Sequence, residues 1–96
     1  MIRWLAIEHA LKESLGSQHI TIYASSDMPQ NLRAAVEVNG DHAYIILSLA
    51  YAKRESDVVK SVAHEGAHVK LMTYDHGPEF KAMRDQILTE LERALS

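Results

Sequence analysis

The sequence contains no cysteine, which excludes several classes of small protein at once. Without thiols the chain cannot form disulfides, build a cysteine-rich zinc ribbon, attack a substrate with a thiolate or use a cysteine-based latency switch. A small protein without disulfides fits a reducing compartment, and we therefore expect a cytoplasmic location.

Long apolar runs and an excess of basic residues are also missing. No stretch approaches the ~20 apolar residues that a membrane span needs. The apolar stretch Trp4–Ile7 runs directly into Glu8 and Lys12, unlike a signal peptide. With 10 Lys and Arg against 13 Asp and Glu, the formal net charge is −3. Nucleic-acid-binding domains usually have a basic surface, so we expect neither a membrane nor a nucleic acid as partner of this domain alone.

The length of 96 residues predicts a single domain, residues 1–96, with room for one core and one site. Asn39-Gly40 is a strong signal for a two-residue hairpin, because both central positions favour positive φ. Apolar periodicity predicts helices at about 2–15, 57–72 and 78 to the end, and strands at about 19–24, 33–38 and 42–48. We therefore expect an α+β fold of order α-β-β-β-α-α, with helices covering a small antiparallel or mixed three-stranded sheet.

The second predicted helix has two different faces. Ser56 is the expected N-cap. On a helical wheel with His64 at zero, His68 lies at about 40°, whereas valines 58, 62 and 69 lie between about 120° and 160°. One face is therefore suited to the core, and the other presents histidines to a cleft.

That helix carries His64-Glu65-Gly66-Ala67-His68, an HExxH motif. Residues i and i+4 lie about one turn apart on the same face, so two imidazoles can hold one metal ion. Zinc in catalytic sites has three protein ligands and a bound water whose pKa falls to about 7. The pattern predicts His64 and His68 as Zn²⁺ ligands and Glu65 as the general base that takes a proton from the water.

The third ligand is open between two residues. His76 lies near the end of the interruption at 73–77 and can fold back over the helix if the chain reverses at Gly77. Glu79, just after Pro78, is the alternative metal ligand and would make a His₂Glu site. Asp75 is either a carboxylate that orients a ligand histidine or a plain loop residue. His9, His19 and His42 have no partner at metal-binding spacing.

The segment His64–Phe80, HEGAHVKLMTYDHGPEF, resembles the metal-binding segment of SprT-like zinc metallopeptidases, in which an HGPxF-type element follows HExxH. The resemblance implies a minimal zincin fold with His64, His68 and His76 as ligands and Glu65 as base. In size the chain also resembles minigluzincins, whose third ligand is a glutamate, and this keeps Glu79 as the alternative to His76, the preferred third ligand. Larger SprT-like repair proteases have additional DNA-binding segments, and this chain has none.

Three functions follow as expectations. The leading one is a zinc-dependent endopeptidase acting on a peptide or an unfolded protein, with self-association as a possible source of latency. The second is a non-catalytic binding or regulatory domain stabilised by metal. The third is a metal-dependent ribonuclease, because 68–76 is similar to a segment of the bacterial rRNA-maturation metalloendonucleases. Those enzymes lack a glutamate after the first histidine, so Glu65 favours the peptidase.

Overall fold

Three helices and three strands follow one another in the predicted order α-β-β-β-α-α, and the α+β class is confirmed. The structure, a computed structural model, describes residues 1–96. None of the helices combines the length and the apolar composition of a membrane span. The elements are α1 (Trp4–Leu15), β1 (Ile20–Ser25), β2 (Ala34–Asn39), β3 (His42–Ser48), α2 (Glu55–Leu71) and α3 (Pro78–Leu95).

The sheet is mixed and has the strand order β1-β3-β2. The central strand β3 pairs in parallel with β1 and antiparallel with β2, so β2 is an edge strand. Ile22, Ile45 and Val36 lie side by side across the sheet, on the face that packs against the helices. The opposite face carries Thr21, Tyr44 and Glu37. The helices therefore cover one face of the sheet, as predicted.

The hairpin between β2 and β3 differs from the prediction by one residue. Asn39 pairs with His42, so the two loop residues are Gly40 and Asp41 rather than Asn39 and Gly40. Gly40 has a φ of 65°, and Asp41 has a negative φ. A turn that needs positive φ only at its first central position favours glycine there, which explains the shifted register.

Helix α2 is the element around which the others pack. It contacts α1, α3, β2 and β3. Val58, Val62, Ala63 and Ala67 are completely buried on its inner face, which confirms the predicted amphipathic pattern. Gly66 lies where α2 approaches α1, because a Cβ at this position would come within 2.9 Å of Leu11 Cδ1. The small residues of the HExxH segment thus allow its helix to pack closely in the core.

The beginning of α2 is stabilised by a residue from the other end of the chain rather than by a cap. Ser56 was predicted as the N-cap, but Arg54 precedes the helix and no side chain caps it, so that prediction was wrong. The Glu55 carboxylate instead accepts hydrogen bonds from the Arg3 backbone N–H and from its guanidinium, at 2.8–3.0 Å. Arg3 also donates to the Leu95 carbonyl oxygen at 2.8 Å. One arginine therefore joins α1, α2 and the end of α3.

We predict that this ion pair makes the stability of the protein dependent on acid pH. The Arg3 guanidinium lowers the pKa of Glu55 from 4.5 to about 2. Because the folded-state pKa is below the unfolded one, the contribution is complete above pH 4.5 and is lost as the pH falls towards 2. Glu55→Gln should therefore lower the melting temperature at pH 7, and the difference from the wild type should shrink below pH 4.5. A difference independent of pH would contradict the assignment.

The close approach at Gly66 gives a second prediction. Gly66→Val would place methyl groups against the buried Leu11 side chain, and overpacking of this kind should reduce the free energy of unfolding by about 1–3 kcal/mol. Gly77→Ala is the matched control, because a Cβ there has no neighbour within 4 Å and the change should be under about 1 kcal/mol. Urea denaturation of the metal-free proteins measures both. Equal losses would show that the approach at Gly66 is not tight.

Candidate metal centre

Three histidines, two from α2 and one from the segment after it, converge beside α2. His64 and His68 lie one turn apart on α2, and His76 lies in the segment that leads into α3. One ring nitrogen from each of the three lies within 4.8 Å of the other two. His68 Nε2 and His76 Nε2 are 3.1 Å apart. The two motif histidines therefore share a site with His76, the preferred third ligand of the sequence prediction.

The position of His76 depends on a reversal of the chain at Met72. Met72 has φ 53° and ψ 42°, the left-handed conformation that often ends a helix, and its N–H donates to the His68 carbonyl oxygen. Gly77, where the reversal was predicted, is extended and forms the N-cap of α3, with Pro78 at its first position. The reversal comes earlier because α2 ends at Leu71. Residues 73–76 can then return over the last turn of the helix.

The same reversal fixes the orientation and tautomer of His68. Its Nδ1 lies 2.7 Å from the Thr73 carbonyl oxygen. A carbonyl oxygen only accepts, so Nδ1 carries the proton and Nε2 presents its lone pair towards His76. Ligand histidines typically donate their second N–H in this way, and the contact fixes the ring plane. The residue that orients His68 is therefore Thr73, through its backbone.

Phe80 forms a buried floor beneath the three histidines. Its side chain is 2% exposed, and its ring centroid lies 5.0, 4.5 and 4.9 Å from those of His64, His68 and His76. Edge-on and tilted rings at these distances pack favourably and restrict one another. No contact with the histidines was predicted for Phe80 from the sequence. The available signal was its place at the end of His76–Phe80, the HGPxF-type element that follows the HExxH motif.

Burial shifts the pKa values of the two other motif residues, His64 and Glu65, in opposite directions. Burial lowers the pKa of His64, and nearby His68, His76 and Arg84 lower it further, which favours the neutral imidazole that binds metals. Burial raises the pKa of Glu65, and His76 partly opposes that shift. The carboxyl therefore binds a proton more readily than a surface glutamate would. A carboxylate of this kind is a suitable proton acceptor in a cleft.

The remaining predicted site residues lie outside the cluster. Glu79 is exposed in the first turn of α3 and is not one of the three residues brought together. Asp75 is also exposed, and its backbone N–H donates to Thr73 Oγ1; it makes no hydrogen bond to a histidine. His42 instead contacts Thr21 Oγ1 at 2.7 Å, as expected for a histidine outside the site.

The three imidazoles suit a tetrahedral divalent ion, and the separation between two of their ring nitrogens already matches one. Two nitrogens bound to zinc at 2.0–2.1 Å lie about 3.3 Å apart, close to the 3.1 Å between His68 and His76. Imidazole ligands, a buried ring beneath them and a backbone acceptor for one of them are typical features of such a centre. The same three ligands also suit other divalent transition metals, so the geometry alone does not identify the ion.

An apolar cavity of about 390 Å³ adjoins the cluster beyond His68. Strand β2 forms one wall and the end of α2 forms another. Val38, Met72 and Tyr74 line the cavity and are 63%, 91% and 76% exposed. Exposed apolar side chains gathered beside a polar site are typical of ligand-binding clefts. Of the four tyrosines, Tyr74 is the one beside the site, with its ring centroid 5.7 Å from that of His68.

Comparisons with protein-family models, with curated proteins and with solved structures find no match to this chain. The resemblance of His64–Phe80 to SprT-like peptidases therefore stays a prediction from the motif.

The ligand assignment predicts different outcomes for two neighbouring alanine substitutions. His76→Ala removes one of the three converging nitrogens and should reduce affinity for Zn²⁺ by at least tenfold. Glu79→Ala should retain wild-type affinity, because its carboxylate lies outside the cluster. Elemental analysis by mass spectrometry and competition with a coloured chelator measure both variants. Loss of metal from Glu79→Ala with retention by His76→Ala would reverse the assignment in favour of a His₂Glu site.

Proposed function

We propose that the protein is a zinc-dependent endopeptidase with His64, His68 and His76 as metal ligands and Glu65 as the general base. The observation that carries the proposal is the convergence of three ring nitrogens within 4.8 Å, with Glu65 beside the first ligand on the same helix. A bound divalent ion supplies Lewis-acid chemistry, lowering the pKa of a water and polarising a carbonyl group. The sequence motif and the geometry support the same ligands.

Glu65 would move the proton that peptide hydrolysis requires. It accepts a proton from the attacking water as the water oxygen bonds to the scissile carbonyl carbon. It then gives that proton to the leaving nitrogen as the C–N bond breaks. The raised pKa of Glu65 helps the second transfer, because a more basic carboxylate holds the proton until the amine departs. Thr73 keeps the His68 ring in place throughout.

The edge strand β2 provides a place for an extended substrate. The Ser48 N–H donates to the Arg33 carbonyl oxygen at 2.8 Å at the start of the hairpin. Antiparallel alternation then leaves the backbone groups of Ala34, Val36 and Val38 directed away from β3. A peptide could pair with these groups as an added strand and place an apolar side chain in the cavity beside His68. Unfolded proteins offer such segments, so we propose them as the substrate class.

We also propose that the chain is a minimal SprT-like zincin. The support is the order of the ligand segment, from the HExxH helix through a short connector to His76-Gly77-Pro78-Glu79-Phe80. The buried Phe80 ring beneath the three histidines gives the last residue of that element a physical purpose.

A metal-stabilised domain without catalysis is the alternative, and one observation favours it. The three ligands join α2 to the segment before α3, so a bound ion would cross-link two helices of the core. A ligand that binds only the folded form stabilises it, and the stabilisation increases with the affinity of the ligand. In this alternative, metal removal lowers the melting temperature and no peptide is cleaved.

Glu65→Gln separates the two functions. Glutamine is similar in size but cannot accept the proton, so the variant should bind zinc normally and cleave an unfolded protein at least about 100-fold more slowly than the wild type. Cleavage of a fluorescently labelled unfolded protein measures the rate, and metal content confirms loading.

Glu90→Gln is the matched control for this substitution. Glu90 lies on α3, where it interacts with Ser14 and Gln86, so its variant should retain full activity. Equal cleavage by Glu65→Gln and the wild type would refute the role of Glu65. A wild-type protein that binds zinc, is stabilised by it and cleaves nothing would favour the alternative.

A further inference from the structure

Three basic residues that are distant in the sequence meet at a second cavity, of about 370 Å³. Arg33 precedes β2, Lys53 lies in the loop before α2, and Lys60 lies in α2. All three side chains are exposed. The polar side chains that line the cavity are those of Arg33, Tyr51, Lys53, Asp57, Lys60 and Ser61. The fold therefore creates a local positive charge that the chain as a whole, at −3, does not show.

This basic cavity lies on the same side of α2 as the metal ligands. With His64 at zero on the helical wheel, Asp57 lies at about 20° and Ser61 at about 60°, close to His68 at about 40°. Ser61 precedes His64 by three residues, which is about 4.5 Å along the helix axis. The cavity therefore adjoins the site at the N-terminal side of His64, whereas the apolar cavity adjoins it beyond His68.

The charges in the basic cavity are partly held in place. The Arg33 guanidinium carbon lies 5.3 Å from the centre of the Tyr51 ring, and the Tyr51 hydroxyl donates to the Gln30 carbonyl oxygen. This contact keeps Arg33 at the end of the edge strand. The lining of this cavity contains three cations and one carboxylate, that of Asp57. A ligand with a carboxylate of its own would therefore offset part of the remaining positive charge.

We propose that the basic cavity is a subsite for an acidic side chain of the peptide substrate. The inference rests on the proposed function and names the class of substrate. A peptide added along β2 passes Arg33 at one end of the strand and the apolar cavity at the other. Preferred substrates therefore carry Asp or Glu on one side of the scissile bond and a large apolar residue on the other. A peptide fits better than a nucleic acid, because the excess positive charge is confined to one cavity.

A binding experiment tests this subsite without depending on turnover. Zinc-loaded Glu65→Gln protein is titrated with short fluorescent peptides that carry one glutamate at successive positions, and with the same peptides carrying glutamine. The glutamate peptides should bind more tightly at positions on one side only. Lys53→Gln/Lys60→Gln should weaken their binding about 3- to 10-fold, and added salt should reduce the difference, because exposed charge pairs are modest and screened.

A charge-matched variant provides the control. Lys81→Gln/Arg93→Gln also removes two positive charges, but from exposed positions on α3, and should leave peptide binding unchanged. Zinc content and melting temperature verify that both double variants are folded. Cleavage of the same peptides by the wild type then maps the glutamate position relative to the scissile bond.

The possible outcomes test the proposed subsite and the proposed peptidase function independently. Equal binding of glutamate and glutamine peptides would overturn the subsite, even if the wild type cleaves both. Glutamate-dependent binding without cleavage would support the subsite and count against the peptidase. Binding of a single-stranded oligonucleotide that requires Lys53 and Lys60, with no effect of peptide glutamate, would overturn the assignment in favour of a nucleic acid.

Discussion

The close packing of α2 in the core is the constraint on which the rest of the structure depends. This helix contacts both other helices and two strands, so its inner face must consist of small and β-branched residues. Because the inner face is packed in this way, the helix cannot shift, and the residues on its outer face are held in position. The two motif histidines are consequently attached to a closely packed helix, which keeps their Cα atoms in place before any metal binds. A pre-formed arrangement loses less conformational freedom on binding than a flexible one.

The structure combines this rigid helix with a more irregular segment that completes the site. Met72 adopts a left-handed conformation that is unusual for a residue with a side chain, and that side chain is almost fully exposed. The conformation directs Thr73 towards His68 and brings His76 into place. Local backbone strain of this type is found where a site requires a particular chain path. The core thus fixes two ligands, and the reversal supplies the third.

Local sequence patterns predicted the order of elements, the two faces of α2 and the histidines that meet. These features depend on residues a few positions apart, whose relation a regular helix or strand determines. The failed predictions involve contacts between distant residues or turn geometry. Arg3 replaced the expected Ser56 cap, the hairpin loop moved to Gly40-Asp41, and the reversal moved from Gly77 to Met72. The basic cavity also required the fold, because its three cations span 27 positions of sequence, from 33 to 60.

The contact between Arg3 and Leu95 has a geometric consequence for any longer polypeptide that contains this domain. Because one side chain touches the carbonyl oxygen of Leu95, both ends of the domain lie together beside the first residue of α2. Glu55 and His64 are nine positions apart, or about 13 Å along the helix axis. A neighbouring module joined at either end would therefore start from the same corner, about two and a half helical turns from His64. Two such modules would compete for that corner and leave the Met72 end of the cleft open.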